Sequence, residues 1–121
     1  MKKCLIVDDS KIVRKVMRQI IQPIGFEIME AGNGQEALDQ LAQHPVDLVM
    51  LDWNMPVMSG IDCLRKMRAN TSITQPAVIF CTTENEFSKI SEALSAGANE
   101  YVMKPFDEAI IRSKLEQLGL L

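Results

Sequence analysis

The sequence predicts an α/β fold, a doubly wound sheet of five parallel strands with five helices packed on its faces. Short apolar runs recur along the chain, CLIV at 4–7, LVML at 48–51 and AVIFC at 77–81, and each stops abruptly at a polar residue. Bounded apolar runs of this length suit strands buried on both faces. Segments with helical spacing separate them, so strand and helix alternate five times along the chain.

The first strand, residues 4–7, ends at Asp8-Asp9-Ser10. Ile12, Val13, Val16, Met17, Ile20 and Ile21 then recur at helical spacing, with Lys11, Arg14, Lys15 and Arg18 between them, until Pro23 and Gly25 stop the helix. FEIME at 26–30 alternates as a strand does. Asn33 with Glu36 three residues on marks the next helix start, because the Asn oxygen can accept from free N–H groups. That helix carries Ala37, Leu38 and Leu41 inward and closes at His44-Pro45. The central run lies in VDLVMLDWNMPVMSG at 46–60; its period also fits buried helix, but its length and Pro56 favour strand. A helix from about Ser59 buries Ile61, Leu64 and Met67. The fourth strand, 77–81, ends at Thr82-Thr83-Glu84, and a helix with Phe87, Ile90 and Leu94 inside follows it to Gly97. Glu100 to Met103 form the fifth strand, ending at Lys104-Pro105-Phe106, and a helix begun by Asp107 buries Ile111, Leu115 and Leu118.

At 121 residues, 47% hydrophobic and 24% charged, the chain is a single globular domain over 1–121. No segment reaches the length of a membrane span, and MKKCLIVDD has too short an apolar stretch for a signal peptide, so a cytoplasmic location is expected. A net charge of −3 gives no footprint for nucleic acid. Cys4, Cys63 and Cys81 are odd in number and widely spaced, which favours packing over metal or redox roles.

In a doubly wound sheet the carboxyl ends of the strands share one edge, where chemistry gathers. Asp8-Asp9, Asp52, Thr82 and Lys104 stand just past four of the five strands, whereas Glu30-Ala31-Gly32 after the second offers nothing comparable. Clustered carboxylates repel and need protons or a cation. Oxygen donors without Cys or His suit Mg²⁺. A lysine and a hydroxyl aimed at the same spot suit phosphoryl oxygens, so the set points to phosphoryl transfer with Asp52 as nucleophile and Asp8 and Asp9 holding the metal. Singly, each residue has a duller account: Asp8-Asp9-Ser10 and Thr82 as helix caps, Lys104 as a surface charge. Their agreement at matching strand ends favours one shared site.

VDDS at 7–10, LDWNMPVMSG at 51–60, CTTEN at 81–85 and EYVMKPF at 100–106 together resemble the response-regulator receiver domain of bacterial two-component signalling, end to end. The DWNMP wording and Tyr101 resemble its stand-alone chemotaxis members most. The resemblance implies strand order 2-1-3-4-5 and no output domain. It implies that Asp52 accepts a phosphoryl group from a partner histidine kinase. Asp9, Asp52 and the Asn54 main-chain carbonyl would hold Mg²⁺, with Asp8 acting mostly through water, and Lys104 would contact the phosphoryl oxygens. Thr82 would move to the phosphate and Tyr101 would swing inward behind it, remodelling a protein-binding surface. Asn54 and Glu84 would tune dephosphorylation, and Thr83 stands where a smaller residue is usual.

The function expected is therefore a phosphorylation-driven binding switch, not an enzyme but a stoichiometric phosphoacceptor with self-dephosphorylation. It would be monomeric when unphosphorylated and act on a downstream protein such as the flagellar motor switch. A stand-alone receiver in another phosphorelay, or a phosphate sink, is the alternative. An aspartyl phosphohydrolase would place a second Asp where Asn54 stands. A flavin site would be repelled by Asp8-Asp9.

Overall fold

The computed structural model describes residues 1–83 and 87–121. Its strands are β1 (Lys2–Val7), β2 (Phe26–Ala31), β3 (Leu48–Asp52), β4 (Ala77–Thr82) and β5 (Glu100–Met103), and its helices are α1 (Lys11–Ile21), α2 (Gly34–Gln43), α3 (Gly60–Ala69), α4 (Phe87–Ser95) and α5 (Glu108–Gln117). The strands pair in parallel in the order β2-β1-β3-β4-β5. Both the alternation and the order agree with the expectation.

Alternation along the central strands sorts the core into two layers, since successive side chains point to opposite faces. Leu5, Val7, Val49, Leu51, Val78 and Phe80 pack with Ala37, Leu41, Leu64, Met67 and Ala93, so α2, α3 and α4 cover that face. Cys4, Ile6, Leu48, Met50, Ile79 and Cys81 pack with Met17, Ile21, Ile111 and Leu115 under α1 and α5. Every residue of β3 is buried, so neither face of the strand tolerates a slip in register. Burying one such side chain stabilises by about 1.5–3 kcal/mol.

Helix starts are set locally. Asn33 Oδ1 accepts from the Glu36 N–H at 2.9 Å while its amide donates to the Glu36 carboxylate, and Asp107 Oδ1 accepts from the Ile110 N–H at 3.0 Å. Gly97, past the end of α4, takes a φ of 113°, the left-handed conformation that stops a helix there.

Two helices turn differently from the sequence reading. Ile12 is 76% exposed and Val16 46% exposed, although both follow the apolar period of α1. They lie about 140° and 100° around the helix from Met17, beyond the stripe that meets the sheet. On α4 it is Ala93 that is buried, while Leu94 is 44% exposed. Ala93 and Leu94 are adjacent, so about 100° of helix rotation separates the buried side chain from the exposed one. The expected inward Phe87 side chain lies outside the described residues.

Candidate functional site

Parallel register brings the strand ends to one edge. Val7 pairs with Leu51, Asp52 with Cys81 and Thr82 with Met103, so the next residues of β1 and β5 emerge beside Asp52. The ladder continues one step further on both sides: the Asp8 N–H donates to the Ala31 carbonyl at 3.1 Å and the Lys104 N–H to the Thr82 carbonyl at 2.9 Å. Asp8 and Lys104 therefore leave the sheet on ordered backbone.

The Lys104 ammonium lies 3.0 Å from Asp8 Oδ2 and 3.0 Å from Asp52 Oδ1. Asp8 is 1% exposed and Asp52 8%, whereas Asp9 faces solvent. Each of the three carboxylates offers an oxygen, and these oxygens lie within 4.8 Å of one another. Burial raises the Asp52 carboxyl above its ordinary range; the Lys104 hydrogen bond opposes this, and the Asp8 charge adds to it. Burial alone would lower the Lys104 ammonium, but its hydrogen bonds to Asp8 and Asp52 overturn that and hold it above its ordinary value. One cation thus bridges two buried anions, and the exposed Asp9 leaves the set an excess of negative charge. Three hard oxygen donors with no sulfur or imidazole among them form a donor set that could hold a divalent metal.

Geometry bears on the duller accounts of Asp8 and Lys104. Ser10, not an aspartate, caps α1, its hydroxyl accepting from the Val13 N–H at 3.3 Å. Asp8 Oδ1 instead accepts from the Ser10 N–H at 2.9 Å, which orients the carboxylate towards Lys104. Thr82 is the last residue of β4 and is buried at the same edge. Lys104 is no loose surface charge, since it joins both buried carboxylates.

Below the edge, Thr82 and Tyr101 line one cleft with Trp53, Phe80, Lys89 and Ile90. The rings of Trp53 and Phe80 are 5.0 Å apart, and Lys89 Nζ stands 5.1 Å from the Trp53 ring centre. Tyr101 is half-buried, and Lys114, held at 2.9 Å by Glu100, lies 5.9 Å from its ring centre. Asn54 is exposed in the loop after β3, and Glu84 lies outside the described residues. That loop turns at Val57, whose φ is 69°, and returns so tightly that a Cβ on Gly60 would sit 2.0 Å from the Asp52 carbonyl oxygen.

The second strand does contribute, which the sequence reading missed. Glu30 on β2 accepts from Arg14 Nε at 2.9 Å and also pairs with Arg18, while Arg14 Nη1 donates to the Asp8 carbonyl at 2.5 Å. An acid on β2 facing basic residues on α1 was the available signal; the two are 16 positions apart and read separately as surface charge. The three cysteines are buried and free. Burial pushes the thiols of Cys4 and Cys81 up, and that of Cys63 to about 11, so packing accounts for all three.

A model of the response regulator receiver domain matches residues 4–116. The chain belongs to the response regulator receiver family. This receiver is 37% identical over 116 residues to chemotaxis protein CheY1 of Helicobacter pylori, covering 94% of each chain. It is 38% identical to chemotaxis protein CheY of Pseudomonas aeruginosa over 117 residues, 96% of this chain and 94% of the other. The structure of Vibrio cholerae chemotaxis protein CheY4 superposes with a TM-score of 0.89 at 31% identity, covering 97% and 98% of the two chains. A two-component response regulator from Clostridium difficile superposes with a TM-score of 0.90 at 25% identity, covering 98% and 96%. Among the described residues of this receiver, no helix is long and apolar enough to cross a membrane.

Proposed function

We propose that this receiver takes a phosphoryl group from a histidine kinase onto Asp52 and thereby switches a protein-binding surface, in chemotaxis and flagellar motor control. The observation that carries the reading is the bridge of Lys104 between Asp52 and Asp8 beside the exposed Asp9. The chemotactic assignment draws on the chemotaxis proteins among its relatives.

An Asp52 carboxylate oxygen attacks phosphorus, the phosphorus–nitrogen bond to the donor imidazole breaks, and its electron pair stays on that nitrogen. The product is an acyl phosphate on Asp52. Burial favours the reaction electrostatically, because Lys104 acts in a partly dehydrated crevice where charge is weakly screened. Asp8, Asp9, Asp52 and the Asn54 main-chain carbonyl are the groups assigned to Mg²⁺, with Asp8 acting mostly through water. Bound there, Mg²⁺ would offset the carboxylate charge and that of the incoming phosphoryl oxygens. Lys104 would keep an ammonium contact to the phosphoryl group once Asp52 is esterified.

Thr82 would turn its hydroxyl to a phosphoryl oxygen, vacating space in the cleft it shares with Tyr101. Tyr101 would move into that space and alter the surface formed by α4, β5 and α5. Asn54 and Glu84 would set how fast water removes the phosphate. The chain acts stoichiometrically, as a cytoplasmic monomer until phosphorylated.

Intact mass after incubation with acetyl phosphate and Mg²⁺ tests the chemistry. One phosphate adduct that requires Mg²⁺ and is lost in Asp52→Asn is expected; no adduct under conditions that preserve acyl phosphates would overturn the reading. A motor-switch peptide that binds only the phosphorylated form would support chemotaxis. Failure to bind would favour a phosphorelay or sink.

A further inference from the structure

We propose that Arg14 is a positioning residue for the Asp8–Asp9 metal pair, held in place by Glu30; this rests on reading that pair as part of a Mg²⁺ site.

Arg14 leaves the first turn of α1 with its side chain only 14% exposed. Its guanidinium makes two directed contacts, Nε to Glu30 Oε1 at 2.9 Å and Nη1 to the Asp8 main-chain carbonyl at 2.5 Å. That carbonyl belongs to the peptide joining Asp8 to Asp9. Holding its oxygen sets the plane of the peptide, and hence the direction in which the Asp9 side chain leaves the backbone. Asp8 is anchored separately, by its N–H to Ala31 and by its side chain to the Ser10 N–H and Lys104. Asp9 is exposed, so the peptide before it does most to orient it. Glu30 in turn aims the guanidinium: it accepts from both Arg14 and Arg18, which leaves Arg14 little freedom to swing away. Groups that orient metal ligands from behind commonly change metal affinity by about 10–100-fold when removed.

Two effects of Arg14 oppose each other and make the test decisive. Its positive charge beside the carboxylates disfavours a bound cation, whereas its hold on the Asp8 carbonyl favours one. Arg14→Lys keeps the charge and loses the planar fork. Arg14→Met loses both.

The test is Mg²⁺ titration of the full chain, read by the fluorescence of Trp53, the single tryptophan and the neighbour of Asp52, with thermal unfolding measured on each variant. The Mg²⁺ dissociation constant is expected to rise about tenfold in both Arg14→Lys and Arg14→Met, and by less in Glu30→Gln. The acetyl phosphate rate at saturating Mg²⁺ should stay near wild type. Tighter Mg²⁺ binding by Arg14→Met with Arg14→Lys unchanged would reduce Arg14 to a charge effect and overturn the proposal. Lowered unfolding temperatures with unchanged Mg²⁺ affinity would make it merely structural, with the same result. A wild type showing no saturable Mg²⁺ response, or one that survives Asp9→Asn, would remove the metal reading itself and the proposal with it. Should Arg14→Met fail to fold, Arg14→Lys and Glu30→Gln decide the question.

Discussion

Lys104 Nζ lies 3.0 Å from Asp52 Oδ1, although the two residues are 52 positions apart in the chain. The same ammonium reaches Asp8 at 3.0 Å, so a single positive charge holds two buried carboxylates together. The neutralisation is incomplete: one positive charge meets two carboxylates, and Asp9 beside the pair adds a third.

Lys104→Met leaves Asp8 and Asp52 facing each other without their shared cation. Stability without Mg²⁺ should fall by about 3 kcal/mol, the low end for breaking a buried pair, because the Lys104 side chain is itself part-exposed. Added Mg²⁺ should then raise the urea midpoint more in the variant than in wild type. Equal Mg²⁺ responses would show that Lys104 and the cation do not serve the same charge.

Asp52 should cost stability at neutral pH, since burial raises its folded pKa above the unfolded one. Such an acid binds its proton more tightly when folded, so the cost vanishes as pH falls through the raised value. Asp52→Asn is therefore expected to unfold at a higher temperature at pH 7, by roughly 4 °C if the change is about 1 kcal/mol. The gain should shrink on acidification. A gain that is constant between pH 7 and pH 4 would point to packing instead of ionisation.

Glu30 has the opposite sign. The Arg18 hydrogen bond lowers its pKa from the ordinary 4.5, burial opposes, and Arg14 adds to the lowering. Its contribution is present above the ordinary value and is lost as pH falls through the lowered one. Glu30→Gln should reduce stability at pH 7 and flatten the acid limb of the stability profile. Chemical denaturation from pH 7 to pH 2 would show this as two curves that converge at low pH.

Gly60 admits no side chain, because a Cβ there would lie 2.0 Å from the Asp52 carbonyl oxygen. Gly60→Ala must push α3 away from the end of β3, at a cost of at least about 3 kcal/mol. Gly32→Ala is the control. Its Cβ would meet only side-chain tips, Glu36 Oε2 at 3.3 Å and Arg14 Nη1 at an ordinary 3.8 Å, so it should change stability by less than about 1 kcal/mol. Similar losses in both would contradict the close approach.

Much of this receiver was legible in the order of its residues. Buried strands such as LVML announce themselves as apolar runs, and Asn33 and Asp107 mark helix starts because a cap bonds only three residues away. Asp8, Asp9, Asp52, Thr82 and Lys104 were found because each stands at a strand end, a local property, whereas Asn54, Glu84 and Tyr101 came from the family resemblance. Strand order was different: it followed from family resemblance, since nothing in a buried parallel strand names its neighbours.

Only the tertiary structure decided what these residues touch. It turned Ile12 and Val16 out of α1 and put Ala93 in place of Leu94, because helical period gives a stripe but not which part of the stripe meets the sheet. It also placed Arg14 between Glu30 and the Asp8 carbonyl, and Lys104 between two carboxylates 52 and 96 positions away. Sequence by itself determined the elements and the polar residues at their ends, because those depend on spacings of a few residues. Which ends meet depends on register between distant strands and on the directions of side chains, and these exist only once the sheet has closed.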